Sequence, residues 1–207
     1  MSSKPYFDDV SGKWDAMRSA FFSERVREKA IATAGVQAGG IAVDIGAGTG
    51  FVTEGLLGRG LRIIAVDQSV AMLAEMQKKF ANEVGIEYRQ GTAEALPIAH
   101  TTVDYAFANM YLHHTECPAE AIREIARILK PGGRLVLTDL DEHTFEFLRT
   151  EQHDRWLGFK RDDVRRWLDE AGFTQVAVEC AGERCCATSE CRCGSASVSI
   201  FLASGER

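Results

Sequence analysis

Basic residues are in short supply. Lys and Arg total 24 against 30 Asp and Glu, a formal net charge of −6. That balance leaves no basic stripe to neutralise phosphates, so a nucleic-acid partner is not expected. The basic cluster KRDDVRR at 160–166 is interleaved with acids and reads as a solvated helix face. Long apolar runs are missing too: none approaches the length needed to cross a bilayer. The N-terminal stretch MSSKPYFDDVSGKWDAM lacks the apolar centre of an export signal. The expectation is a cytoplasmic protein with no membrane partner. With no internal repeat, low-complexity tract or linker, residues 1–207 are expected to form a single domain.

What is present is an ordinary globular mixture, 45% hydrophobic and 26% charged. After residue 40, strand-like and helix-like segments alternate. Expected strands are IAVDI (41–45), LRIIAVD (61–67), IEYRQ (86–90), VDYAFANM (103–110), RLVLTDL (134–140), TQVAVEC (174–180) and SASVSIFLASG (195–205). Helical spacing follows the first glycine turn. It recurs over 69–85 behind an N-capping Ser69, with Val70, Leu73, Phe80 and Val84 among its apolar positions. A further helix spans 119–130, ended sharply by KPGG, and an amphipathic one covers 161–172. Nearly continuous apolar strands alternating with helices imply an α/β fold whose parallel sheet is covered on both faces.

The turn GAGTG at 46–50 sits between the first strand and a helix. No Lys-Ser/Thr pair follows it, which excludes a P-loop, and its third glycine arrives one residue early for the dinucleotide pattern G-x-G-x-x-G. Asp44 precedes it, where a carboxylate would repel a pyrophosphate but suit a cationic amine. Asp67 ends the second strand, where it can accept hydrogen bonds from both hydroxyls of a ribose. The expected ligand is a nucleoside that bears an amino acid.

VDIGAGTGFVT, IIAVDQS, GTAEALP, VDYAFANMYLHH and LKPGGRLVLTD follow one another in an order and spacing that resembles the class I S-adenosylmethionine-dependent methyltransferases, in particular the type 11 small-molecule branch. The resemblance covers roughly residues 5–180. It implies a seven-stranded, mostly parallel Rossmann-like sheet with helices on both faces and an antiparallel last strand, and S-adenosyl-L-methionine as cofactor. Carried over, it places Gly46, Ala47, Gly48 and Gly50 against the cofactor's methionine part, with Asp44 supporting its amino group. Asp67 holds the ribose, Gln68 and Met72 border the adenine, and Asn109 faces the amino-acid moiety. GTAE reads G-D-A-E in the family, so Thr92 replaces an Asp that bonds the adenine amino group; the resemblance then implies a contact either weakened or passed to the backbone around Ala93 and to Glu94. Residues 1–40 resemble an N-terminal helical lid, with Tyr6 and Trp14 over the cofactor, and 141–172 form the substrate side.

The family implies methyl transfer to a small-molecule acceptor, driven by alignment more than by acid–base chemistry. Catalytic candidates are Tyr111, His113 and His114 after the fourth strand and Asp139 after the fifth; His143 and His153 read as surface histidines. Outside the family frame, five of the six cysteines fall between 180 and 193. A cysteine-rich loop (180–194) at the ligand edge of the sheet would place Cys185, Cys186, Cys191 and Cys193 near the substrate. Four readings stand side by side: unrelated cysteines, a thiophilic metal or metalloid such as arsenite held for methylation, a structural zinc site, or a redox pair. A cofactor-binding sensor without chemistry is the rival from another class. Neither the acceptor nor the oligomeric state is legible here.

Overall fold

The structure, a computed structural model, describes residues 3–189 and 194–207. Three helices lead the chain: α1 (Lys4–Val10), α2 (Trp14–Phe21) and α3 (Arg25–Ala34). Strands and helices then alternate through β1 (Ile41–Ile45), α4 (Phe51–Leu56), β2 (Arg62–Asp67), α5 (Val70–Lys79), β3 (Ile86–Gln90), β4 (Val103–Asn109), α6 (Pro118–Ile128) and β5 (Leu129–Leu140). The last third holds α7 (Glu146–Glu151), α8 (Arg161–Glu170), β6 (Thr174–Thr188) and β7 (Ser195–Glu206). The seven strands form one sheet in the order β3-β2-β1-β4-β5-β7-β6, parallel except for β7. This is the architecture the sequence implied.

Strand order reverses between β1 and β4, opening a crevice beyond their carboxyl ends, where open α/β sheets bind ligands. The sheet is apolar on both faces because helices cover both. Along β4, Ala106 and Ala108 enter the core on one face while Phe107 enters the core on the other. Ser69 caps α5 as expected, its Oγ accepting from Met72 N at 3.0 Å.

Three expectations need correction. The helix expected over 69–85 ends at Lys79, and Val70 and Val84 are 55% and 92% exposed. Its buried stripe is Met72, Leu73 and Met76, one helical turn wide. KPGG does not lie beyond a helix but inside β5, which begins at Leu129 directly after α6. Residues 130–133 bulge out between the pairs Val103–Leu129 and Tyr105–Arg134. The chain end secures that bulge: Gly132 N donates to Arg207 O, and Arg207 N to Gly133 O.

The third correction concerns the cysteines. Cys180, Cys185 and Cys186 lie on β6, a 15-residue strand, and not on a loop. Neighbouring strand residues point to opposite faces, so Cys185 is buried and Cys186 exposed. The two thiols therefore neither share a pocket nor form a redox pair. Cys191 and Cys193 lie outside the described residues.

Candidate active site

The glycine turn links β1 to α4 at the reversal point of the sheet. Gly46, Gly48 and Gly50 all take left-handed φ angles, +66°, +53° and +90°. Gly46 is packed by the Tyr111 ring, while a Cβ on Gly48 would face the Trp14 indole at 3.5 Å. Gly50 is turned away from the crevice toward Met76 and Phe80, and serves the entry into α4.

Two buried carboxylates hold the turn, with different exposure to the crevice. Asp44 Oδ2 accepts from Thr53 N at 2.9 Å and Thr53 Oγ1 at 2.8 Å, which clamps α4 to β1 from behind. Burial pushes its carboxyl up to about 6, with the Thr53 bonds opposing. Asp67 lines the cleft. Its Oδ2 accepts from Gly48 N and its Oδ1 from Ser69 N, both at 2.8 Å. Each carboxylate oxygen keeps a second lone pair, so both can still receive hydroxyl donors.

Residues 3–21 roof this cleft. Asp8 Oδ1 accepts from Ser69 Oγ at 2.6 Å, and Asp15 Oδ1 from Thr49 Oγ1 at 2.5 Å, tying α1 and α2 to the rim. Phe7, Trp14 and Arg18 hang from these helices into the cleft. Among the described residues no hydrogen bond reaches Arg18 Nε or Nη1, both shielded from water, although Asp15 acts on the guanidinium electrostatically. Its guanidinium lies 4.2 Å from the Phe51 ring centroid, and burial lowers its pKa. A half-buried guanidinium with two unpartnered donors favours an anionic partner.

Of the positions expected at the cofactor, Trp14, Gly46, Ala47, Gly48, Asp67, Gln68, Met72 and Asn109 line this one cleft, with Tyr111 and His114 beside them. Asn109 is oriented by Thr138, whose Oγ1 donates to its Oδ1 at 2.7 Å. Thr92 and Glu94 border a neighbouring polar cavity that also meets Gln68 and Tyr111. Ala93 is buried, with Tyr111 bonded to its backbone. Tyr111 thus stands between the two cavities, and burial raises its phenol pKa. Asp44 and Gly50 support the cleft without lining it.

A second, mostly apolar chamber adjoins the cleft. Tyr6, Phe21 and Leu148 contribute to its apolar wall, and His113, His114 and Asp154 form its polar end. His113 Nδ1 donates to Asp139 Oδ1 at 2.6 Å, and His113 N to Asp139 Oδ2 at 3.2 Å. Burial opposes a charge on His113, but Asp139 and then Asp154 outweigh it and push the imidazole up to about 9. His114 is held well below the usual histidine value by burial and by the neighbouring His113. Asp139 is fully buried behind His113 and does not line the chamber. His143 and His153 do not line it either.

Arg18, Phe51 and Asp154 were not anticipated. Arg18 lies four residues after Trp14, one turn along the same face of α2, so its spacing carried a signal. Phe51 follows the third glycine directly. Asp154 had no signal, because only the loop after α7 brings it beneath His113.

The fold and this cleft define an α/β nucleoside-binding domain with its site at the strand-order reversal. Residues 43–137 match the profile of a methyltransferase domain, type 11. The chain is 31% identical over 147 residues to the demethylmenaquinone methyltransferase of Renibacterium salmoninarum, covering 70% of this chain and 61% of that one. It is 27% identical over 195 residues to the ubiquinone/menaquinone biosynthesis C-methyltransferase of Rubrivivax gelatinosus, covering 85% and 76%. A chain in the complex between the Haloferax volcanii Trm112 methyltransferase activator and a methyltransferase superposes with a TM-score of 0.77 at 19% identity, covering 97% and 96%. Across the curated relatives considered, this chain spans between 28% and 76% of their length. The chain belongs to the class I S-adenosylmethionine-dependent methyltransferases, and S-adenosylmethionine is the cofactor of that class. No helix among the described residues is long and apolar enough to cross a membrane.

Proposed function

We propose that this chain transfers a methyl group from S-adenosylmethionine to a small, apolar acceptor seated in the chamber beside the glycine turn. One observation carries the reading: Phe7, Trp14, Phe22, Met110 and His114 line both the cleft and the chamber, so the two ligands would share a wall. The cofactor supplies an electrophilic methyl on a sulfonium sulfur. Asp67 would accept the ribose hydroxyls, and Arg18, with two donors unbonded, suits the amino-acid carboxylate. Gln68 and Met72 border the base, and the aromatic lid keeps water out. Alignment of this kind contributes about 7–11 kcal/mol, so a strong base is needed only for an acceptor that must lose a proton.

The relatives just described are a demethylmenaquinone methyltransferase and a ubiquinone/menaquinone biosynthesis C-methyltransferase. An apolar, ring-bearing acceptor of comparable character suits a chamber walled by Tyr6, Phe7 and Phe21. The test is calorimetry with S-adenosylhomocysteine, followed by transfer of labelled methyl to ring-bearing quinols and phenols. Wild-type protein should bind and Asp67→Ala should not. Absence of binding heat in the wild type overturns the cofactor assignment. Binding without transfer to any apolar acceptor overturns the acceptor class.

A further inference from the structure

The polar end of the chamber carries more organisation than an apolar acceptor needs. One ring nitrogen each of His113 and His114 and one carboxylate oxygen of Asp154 lie within 4.8 Å of one another. Both histidines are oriented from behind. His113 Nδ1 is engaged by Asp139 at 2.6 Å, and His114 Nδ1 faces the His153 carbonyl at 3.3 Å. A carbonyl only accepts, so His114 carries its proton on Nδ1 and its lone pair on Nε2; a neutral His113 with Asp139 behind it does the same. Histidines that bind metal ions are held in this way, the outer nitrogen donating to a carboxylate or a carbonyl. Asp139 is fixed for that duty, since it also accepts from His113 N and from Leu140 N at 2.7 Å.

Charge points the same way. Asp139 and Asp154 are both buried, and among the described residues His113 is the one cation within ion-pair distance of either. Arg149, the nearest guanidinium acting on Asp154, is paired with Glu146 at 3.2 Å. The two buried carboxylates together carry a formal charge of −2. A divalent cation with neutral histidines balances it. The separation fits as well: His113 Nε2 and Asp154 Oδ1 stand 3.6 Å apart, beyond hydrogen-bonding range. Two ligands at ~2.0–2.1 Å from a tetrahedral ion would sit about 3.3 Å apart.

We infer that His113, His114 and Asp154 form a binding site for a divalent first-row transition-metal ion of the zinc class, with Asp139 as its outer anchor. Two imidazoles and one carboxylate favour zinc, cobalt or iron(II) over magnesium or calcium, which take oxygen ligands. All three side chains line the chamber, so the fourth coordination position opens toward the acceptor. There a bound ion would lower the pKa of an acceptor hydroxyl or thiol and hold its oxygen or sulfur in place. The site shares His114 with the wall of the cofactor cleft, yet metal retention needs no bound methyl donor.

The test uses the full chain, stripped with EDTA, dialysed against Zn²⁺ or Co²⁺ and assayed by elemental analysis and visible absorption. One ion per chain and a Co²⁺ d–d spectrum are expected. His114→Gln and Asp154→Asn should abolish retention, and Asp139→Asn should weaken affinity about 10- to 100-fold. A Cys191→Ala/Cys193→Ala variant should retain the ion. Circular dichroism and S-adenosylhomocysteine calorimetry on the same samples show that the variants are folded and report on the cofactor cleft separately. No stoichiometric ion in the wild type, retention by folded His114→Gln and Asp154→Asn, or loss in the double cysteine variant would each overturn the assignment.

Discussion

Asp67 and Arg18 divide the cleft between an anion and a cation, and the two are buried on different terms. Asp67 is satisfied by Gly48 N and Ser69 N before any ligand arrives, whereas Arg18 waits for a partner with Nε and Nη1 shielded from water. A charged hydrogen bond of this kind is worth about 1.5–3 kcal/mol. Arg18→Ala should therefore weaken S-adenosylhomocysteine binding about 10- to 150-fold. Decarboxylated analogues should bind wild type and variant alike. Equal calorimetric affinities of both proteins for the intact ligand would remove Arg18 from the site.

At the scale of elements, β6 decides which thiols matter. Its bulge between Cys180 and Arg184 leaves Cys180 exposed, while the alternation beyond it turns Cys185 inward and Cys186 outward. The Gly182 N–H, the Ser199 hydroxyl and the nearby Arg161 lower the Cys180 thiol pKa. Burial, then the Asp154 charge, pushes the Cys185 thiol up to about 12. Iodoacetamide at pH 8 should thus modify Cys180 rapidly and spare Cys185 until the chain is unfolded, as read by peptide mass spectrometry. Rapid modification of Cys185 in the native protein would show that β6 does not pack as described. Periodicity in the sequence ended this strand at Cys180, because the glycine and charged residues at 182–184 look like a turn. Only pairing with β7 carries the strand on to Thr188.

Across the whole molecule, the glycine turn carries a stability cost that depends on pH. Asp44 titrates at about 6 in the folded chain against an ordinary 3.8, because burial outweighs its Thr53 bonds. A raised acid makes the folded state bind the extra proton, so this group's contribution favours folding at low pH. That contribution is lost as pH rises from about 4 to about 6. Asp44→Asn keeps an acceptor for Thr53 and cannot ionise. Its stability relative to wild type should climb through that window by at most about 3 kcal/mol, measured by urea denaturation. Parallel pH curves for the two proteins would show that Asp44 carries no such shift.

The order of strands and helices, the parallel sheet and the position of the glycine turn were legible in local patterning, whereas the reversed β7 was implied by the family resemblance. Apolar periodicity, capping residues and left-handed glycines act over a few residues, and such local rules survive without knowledge of the fold. Gly46, Gly48 and Asp67, singled out from the turn and the strand end, and Met72, implied by the resemblance, line one cleft. What tertiary structure alone decided is the polar end of the chamber. Asp154 meets His113 across 41 positions of chain, and Asp139 backs it across 26, distances over which no periodic signal connects residues. Burial then assigned their chemistry: a carboxylate that would be a solvated surface charge in water becomes one that needs a cationic partner when buried beside an imidazole.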